Sequence, residues 1–294
     1  MTTEQQTIGF VGLGLMGAAM TGRLMECGHD VIGYDIVPEK LSAAEQAGVR
    51  PAASPAALAD AADSVLLCVT STAAVEQVVF GEDGIATTPA TGKVLVDHST
   101  TITEATRDMA ERLAAANGMA WVDAPVSGGP PASAAGTLAI MVGGDSEAVA
   151  TVEPVLRRLG RPTRMGPVGA GQTTKMINQV LVLNNYAVLA EAVRLAENAG
   201  IDTAKLPDCL AGGHADSNML RAIWPRMVAR DYAPAGYARQ VLKDLEMVQD
   251  LAGKTKSPTP MSSQAAMLFR LLIARGYSDL DGIAVLKLYD SEPV

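Results

Sequence analysis

The sequence predicts an α/β protein in three parts: an N-terminal doubly wound domain on a parallel sheet (residues 1–167), a long interdomain helix over about 169–199, and an all-α C-terminal domain (168–294) that begins with that helix. Three observations carry this expectation. Short apolar runs alternate with helix-forming stretches through the first half, the pattern of parallel strands joined by crossover helices. Helix-compatible residues run unbroken from Gly169 to an Asn198-Ala199-Gly200 stop, long enough to span roughly 40 Å. Beyond Gly200 no strand-like run remains, only helical stretches broken by Gly, Pro and Asp.

In chain order, Thr7–Val11 reads as a short buried strand. It breaks into Gly12-Leu13-Gly14-Leu15-Met16-Gly17 and a helix reaching Cys27, and Val31–Tyr34 is the next strand, ending in Asp35. Glycines that follow a strand, open a helix and precede an acidic residue about 20 positions on form the whole dinucleotide-binding fingerprint of a Rossmann domain. Gly12 makes the turn, Gly14 lets the backbone approach a pyrophosphate at the helix N-terminus, and Gly17 lets helix and strand pack closely. Asp35 is placed to accept from the adenosine ribose hydroxyls, and its charge repels a 2′-phosphate. No arginine follows it in Ile36-Val37-Pro38, so NAD is expected in preference to NADP.

Strands Ser64–Val69 and Val94–Asp97 and helices from about Ala73 and over Glu104–Ala116 continue the alternation. Ligands of such sheets lie at the carboxyl ends of strands, which makes Val69-Thr70 and Ser99-Thr100 candidate cofactor contacts, Thr70 and Thr100 foremost, although small polar residues there also serve to cap the next helix. Thr101 or Thr103 is expected to cap the helix that follows. The stretch Asp123 to Leu138 is too rich in Gly and Pro for helix or strand throughout, and composition alone favours a crossover loop. Its Ser127-Gly128-Gly129 nevertheless presents a hydroxyl and close backbone N–H groups able to hold a carboxylate. A strand Ala139–Val142, a helix Glu147–Leu159 and a short strand Thr163–Met165 close the first domain. The second is expected to hold helices near Thr203–Leu210, Met219–Val228, Ala238–Ala252, Pro260–Arg275 and Asp281–Tyr289.

Composition narrows the function. A chain of 294 residues that is 48% hydrophobic buries a sizeable core, and a formal charge of −9 with no basic run gives nucleic acid or an anionic membrane no purchase. No run reaches the roughly 20 apolar residues of a membrane span, and the N-terminus has no export signal. Cys27, Cys68 and Cys209 are odd in number and far apart, which points to a reducing compartment and, by elimination, the cytoplasm. No metal site is expected, because His29, His98 and His214 have no partner at ligand spacing. No serine sits in a nucleophile elbow. What remains is a nucleotide in one domain and Lys175, with Asn178 on the same helix face, at the start of the other: hydride transfer with a lysine as proton carrier.

Four motifs in order, Gly12-Leu-Gly-Leu-Met-Gly17, Asp123-Ala-Pro-Val-Ser-Gly-Gly129 with Gly136-Thr137-Leu138, Gly169-x-Gly-x-x-x-Lys175-x-x-Asn178, and Lys243-Asp244-Leu245, resemble the β-hydroxyacid dehydrogenases. That group includes 3-hydroxyisobutyrate dehydrogenase, tartronate semialdehyde reductase and threonate dehydrogenase, and more distantly 6-phosphogluconate dehydrogenase. The resemblance covers essentially the whole chain. It implies a small-molecule carboxylate substrate, with Lys175 as general acid/base, Asn178 binding or orienting the substrate, and Ser127, Gly128 and Gly129 holding the carboxylate. It also implies that Lys243 comes from the helical domain to close over cofactor and substrate, and that the protein is a homo-oligomer, a dimer or tetramer. Lys175 would take the proton of a 3-hydroxyl while C3 gives its hydride to the nicotinamide.

The departures bear on substrate. Many 3-hydroxyisobutyrate dehydrogenases carry Asn-Asn where this chain has Asn178-Gln179, and a Pro-rich insertion where it passes directly from Trp224–Met227 to Asp231-Tyr232. The stretch Gly212 to Met219 is polar for a methyl-bearing substrate, which favours tartronate semialdehyde, threonate or serine. Lys256-Ser257-Pro258 and Ala274 to Asp281, in contrast, resemble the hydroxyisobutyrate and serine dehydrogenase end of the group. Two alternatives share the architecture. An imine reductase usually lacks the lysine, and a non-catalytic NAD(P)-binding regulator has no need of Lys175 and Asn178 together.

Overall fold

The computed structural model describes residues 5–290. Its described residues form two compact units, one ending at Lys175 and the other starting at Met176.

The first unit is built on a nine-stranded sheet. Strands β1 (Thr7–Val11), β2 (Asp30–Tyr34), β3 (Arg50–Pro51), β4 (Ser64–Leu67), β5 (Val94–Asp97) and β6 (Ala120–Asp123) pair in parallel in the order β3-β2-β1-β4-β5-β6. The sheet then departs from the parallel expectation. β8 (Leu138–Gly144) runs antiparallel to β6 and to β7 (Val126–Ser127), and β9 (Gly160–Gly166) pairs in parallel with β8. Because β7 and β8 are joined through one short helix, the chain turns back on itself there without a crossover.

Alternation along the strands assigns side chains to two faces. Ile8, Phe10, Leu66, Val94, Val96 and Val122 join the core formed with α1 (Leu15–Glu26) and α7 (Ser146–Leu159). Val11, Val65, Leu67, Leu95 and Trp121 join the core formed with α3 (Pro55–Ala61), α4 (Thr72–Phe80) and α5 (Thr103–Asn117), whose buried residues include Leu58, Val79 and Leu113. A sheet apolar on both faces and covered by helices on both is the doubly wound arrangement. Between Asp35 and Ser64 the chain forms α2 (Pro38–Gln46), β3 and α3, which the apolar pattern does not single out: β3 is two residues long, and α2 buries only Ala44. Pro38 and Pro55, each in the first turn of its helix, are the sequence signals that mark them.

In the stretch expected as a crossover loop, β7 and α6 (Gly129–Ala135) form despite its composition, because Gly128 (φ +134°) and Gly136 (φ +67°) bracket α6 and Pro130 lies in its first turn. The long helix is α8 (Ala170–Asn198).

In the second unit, Leu183, Ala190 and Val193 of α8 pack with α10 (Asn218–Val228), α11 (Ala238–Thr255) and α12 (Pro260–Ala274) through Trp224, Met227, Leu245 and Phe269. Two helical expectations change here. Thr203–Leu210 splits into a 3-10 turn (Thr203–Lys205) and the short α9 (Leu206–Cys209), where Pro207 interrupts the ladder, and Gly282–Tyr289 is a 3-10 run capped by the buried Asp281. Ile177, Leu181, Val188 and Leu195 of α8 are exposed, so its apolar surface is not covered on every side.

Candidate functional site

Strand register gathers the sequence-predicted residues of the first unit along one edge. Val11 lies opposite Tyr34 and Leu67, Leu67 opposite Asp97, and Asp97 opposite Asp123. The segments leaving those strand ends carry Gly12, Asp35, Val69, Thr100 and Ser127. The order of strands reverses between β1 and β4, which is where an open α/β sheet leaves a crevice for a ligand.

At β1 the backbone turns at Gly12, whose φ of +93° favours glycine and where a Cβ would sit 2.4 Å from the carbonyl oxygen of Cys68. A Cβ at Gly17 would fall 1.9 Å from the carbonyl oxygen of Gly12, so only glycine lets α1 start this close to the turn. Gly14, the N-cap, has no side chain to satisfy the first N–H groups of α1, the first turn contains no acid, and nothing occupies the space a Cβ would take. Leu15, exposed, and Met16, packed against the core, complete that turn. An uncapped helix N-terminus without a competing carboxylate suits a pyrophosphate. Asp35 does more than await a ribose: its Oδ2 accepts from the N–H of Leu13 (2.8 Å) and its Oδ1 from that of Val37 (2.9 Å), tying the glycine turn to the end of β2. Each oxygen keeps a second lone pair for a ribose hydroxyl. The residues present fit a dinucleotide.

At β4 and β5, Ser71 caps α4 by accepting from the N–H of Ala74 (3.1 Å), leaving Thr70 exposed, while the N–H of Val69 donates to Ser99 Oγ (2.9 Å). Thr100 is half-buried. Neither Thr101 nor Thr103 caps α5: Ile102 is the N-cap residue, without a side-chain cap. The Thr101 hydroxyl is instead buried with the Thr106 hydroxyl (2.8 Å) and Asp97 Oδ2 (3.4 Å).

Those bonds belong to a buried polar group that the sequence motifs do not reveal. Gln172 in the first turn of α8 donates through Nε2 to the Ser99 carbonyl (2.8 Å) and accepts at Oε1 from the N–H of Thr101 (3.0 Å). Asp123 accepts from the N–H groups of Gly169 (2.7 Å) and Gln172 (2.8 Å), so a carboxylate caps the start of α8. Burial raises the Asp123 carboxyl against those hydrogen bonds, pushes its neighbour Asp97 up to about 7, and lowers His98 to about 4, leaving a neutral ring whose Nδ1 lies 2.7 Å from the Ala124 carbonyl oxygen. Gln172 lies 71 and 73 positions from its partners and Asp123 46 and 49 from its own, beyond the reach of spacing arguments.

The two glycines of the third motif explain its geometry. Gly169 has φ +89°, and a Cβ at Gly171 would meet the carbonyl oxygens of Met141 (2.4 Å) and Asp123 (2.6 Å), so α8 begins pressed against β6 and β8. One turn on, Lys175 is 8% exposed and its Nζ donates to the carbonyl oxygen of Val126 (2.7 Å). Val126 immediately precedes half-buried Ser127, exposed Gly128 and Gly129, the last with φ +69°. Within one unit, the structure therefore brings the lysine beside the Ser127-Gly128-Gly129 segment that the sequence singles out for a carboxylate.

In the second unit, Asn178 is half-buried and donates through Nδ2 to Gln179 Oε1 (2.8 Å). Lys243 on α11 pairs with Asp244 (3.0 Å), while Glu246 pairs with Arg270. The polar stretch from Gly212 to Met219 has another use than a pocket. Asp216 takes both ends of the Arg221 guanidinium and the N–H of Gly212, and Ser217 caps α10. Asp216 and Ser217 are thus engaged in a turn and a helix cap.

Comparison with known proteins agrees with this arrangement. The family model for the NAD binding domain of 6-phosphogluconate dehydrogenase matches residues 7–177, and that for the NAD-binding domain of NADP-dependent 3-hydroxyisobutyrate dehydrogenase matches residues 169–289. L-threonate dehydrogenase of Cupriavidus necator is 35% identical over 97% of this chain and 96% of its own. NAD-dependent L-serine dehydrogenase of Pseudomonas aeruginosa is 34% identical over 96% and 97%. The crystal structure of 3-hydroxyisobutyrate dehydrogenase from Salmonella typhimurium superposes with a TM-score of 0.88 at 31% identity, covering 96% of this chain and 99% of that one. With the motifs, the strand-end geometry and both halves of the chain in agreement, this is a member of the 3-hydroxyisobutyrate dehydrogenase family, an NAD(P)-binding hydroxyacid dehydrogenase.

Proposed function

We propose that the protein oxidises the alcohol carbon C3 of a small, polar 3-hydroxy acid, or reduces the matching semialdehyde, with NAD preferred over NADP. The observation that carries this is the buried Lys175 ammonium held on the Val126 carbonyl, one residue before Ser127. When bound, the dinucleotide supplies the hydride acceptor or donor. Ser127, Gly128 and Gly129 hold the substrate carboxylate through a hydroxyl and backbone N–H groups. Having given up its ammonium proton, Lys175 as the neutral amine accepts the proton of the reacting hydroxyl in oxidation, and as the ammonium it returns that proton in reduction; the Val126 carbonyl keeps its Nζ in place between turnovers. Asn178 orients the substrate, and Lys243 adds a cation to the binding of substrate and cofactor. The nucleotide is held by Gly12 to Gly17, with Asp35, Val69, Thr70 and Thr100 around it.

The NAD preference is supported by the Asp35 carboxylate at the end of β2, followed by Ile36-Val37-Pro38 with no cation for a 2′-phosphate. The polar substrate is supported by the names of the threonate and serine dehydrogenases that the chain resembles. Exposed Ile177, Leu181, Val188 and Leu195, the last 71% accessible, support a homo-oligomer, a dimer or tetramer, checked by light scattering on the purified protein. We place the enzyme in the cytoplasm, where Cys27, Cys68 and Cys209 stay as the free thiols they are here.

The test is NADH formation or consumption across L-threonate, L-serine, 3-hydroxyisobutyrate and tartronate semialdehyde, repeated with the NADP couple. The expected result is turnover of a polar member, with kcat/KM for NAD above that for NADP. No turnover of any of them despite tight NADH binding overturns the enzymatic assignment, and an equal or higher kcat/KM with NADP overturns the cofactor assignment.

A further inference from the structure

Gln179 and Asp244 face each other from α8 and α11, 65 positions apart in the chain and both inside the second unit. Gln179 is 6% exposed and Asp244 9%. A glutamine and a carboxylate at such burial are costly unless each polar atom is matched. Gln179 Nε2 donates to Asp244 Oδ2 in a short hydrogen bond, and Gln179 Oε1 accepts from Asn178 Nδ2 (2.8 Å). The other Asp244 oxygen, Oδ1, lies 3.0 Å from Lys243 Nζ in an ion pair not aligned as a hydrogen bond.

The chain of contacts therefore runs Asn178, Gln179, Asp244, Lys243, and each neighbour fixes the next. A carboxylate only accepts, so the Gln179 amide must turn its Nε2 toward Asp244, which turns its Oε1 toward Asn178. Asn178 must then offer an N–H to Gln179, which sets its own amide orientation and aims its Oδ1 elsewhere. Adjacent residues on a helix do not face one another. Both neighbouring pairs here, Asn178 with Gln179 and Lys243 with Asp244, are nevertheless in contact, at either end of the link between the two helices.

We propose that Gln179 and Asp244 are a positioning pair: they set the amide orientation of Asn178 and restrain the Lys243 ammonium, so that the two side chains keep one geometry relative to each other. This rests on the assignment of Asn178 and Lys243 to substrate and cofactor binding. Glutamine is required because an asparagine at 179, one methylene shorter, cannot reach Asp244 and Asn178 together. Aspartate is required because only an ionised group both orders the amide and pairs with the lysine.

The test is a pair of double-mutant cycles on the full-length protein. Gln179→Met, which keeps side-chain length and burial, is made alone and with Asn178→Ala, and kcat and KM are measured for the best substrate of the panel above. Asp244→Asn, close to isosteric, is made alone and with Lys243→Ala, and the NADH dissociation constant is read by fluorescence titration, which needs no substrate. Gln179→Met is expected to lower kcat/KM about tenfold, through loss of its hydrogen bonds, and Asp244→Asn to weaken NADH binding several-fold, through loss of the ion pair with Lys243. Each effect should largely vanish when Asn178 or Lys243 is already alanine, because partners in one network do not add. Gln179→Asn should behave as Gln179→Met does.

Effects that multiply in the double variants overturn the pair while leaving the site assignment intact. If Asn178→Ala and Lys243→Ala alone change neither kcat/KM nor NADH affinity, the site assignment fails, and the pair has nothing to position. Should no substrate be turned over, the NADH cycle alone decides.

Discussion

The two lysines assigned to the site are held by opposite means. Lys175, 8% exposed, donates to a backbone carbonyl in a unit where strand ends, tight glycines and buried carboxylates fix the backbone itself. Lys243, with 28% of its side chain accessible, rests on a neighbouring carboxylate that depends in turn on a glutamine amide. One arrangement is side chain on backbone and the other side chain on side chain. The first should tolerate little change and lose much when changed, and the second should give way by degrees.

The largest expected effect breaks the first arrangement at its reacting group. Lys175→Ala should lower turnover by about 10² or more while leaving NADH binding nearly intact, the scale of a lost acid/base. A steady-state assay beside an NADH titration checks both halves. Near-normal turnover would remove Lys175 from the mechanism and, with it, the contrast between the two lysines.

A smaller effect probes the backbone fit directly. Gly17→Ala places a Cβ 1.9 Å from the carbonyl oxygen of Gly12, and neither partner is a side chain free to swing aside. Relieving it must move α1 or the turn, at a cost of about 1–3 kcal/mol of stability, and the shifted turn should also weaken NADH binding. Urea unfolding and fluorescence titration are the measurements. A variant as stable as the parent, with unchanged NADH affinity, would show that the turn has slack the geometry does not suggest.

This contrast also governs what could be read from the residues alone. Gly12, Gly17, Gly169 and Gly171 announce themselves because a backbone approach leaves a single-residue trace at fixed spacing, and strand alternation places both cores. The antiparallel β8, the two-residue β3 and the switch of Thr101 from cap to buried network leave no such trace. For Thr101 the cause is its partners Asp97, Thr106 and Gln172, brought together only when the strand ends align. Gln179 is visible as a departure from a family pattern, but its partner Asp244 lies three helices further along and no periodicity links them. At Gly212 to Met219 the polarity is legible but its structural use is not, because a turn and a helix cap take the same residue types as a pocket.

The smallest effect concerns the polar group under the start of α8. Burial holds the Asp97 carboxyl up to about 7, whereas in the unfolded chain it ionises near 3.8. Between those values the folded protein keeps a proton that the unfolded chain has released, so this group's contribution to stability is present at low pH and is lost as pH rises through about 7. From about pH 6 to about pH 8 the loss amounts to about 1 kcal/mol. His98 next to it has the opposite slope, because burial lowers it from 6.5 to about 4 and its contribution is lost as pH falls through that window. A comparison at each pH with Asp97→Asn cancels the histidine and every other group. Asparagine keeps an oxygen for the Ser99 N–H and gains a donor for the Thr101 hydroxyl. The variant should therefore gain about 1 kcal/mol relative to the parent across that range. A difference in unfolding free energy that stays flat with pH would mean that Asp97 is ionised in the folded state throughout, its charge carried by the Ser99 N–H and the Thr101 hydroxyl.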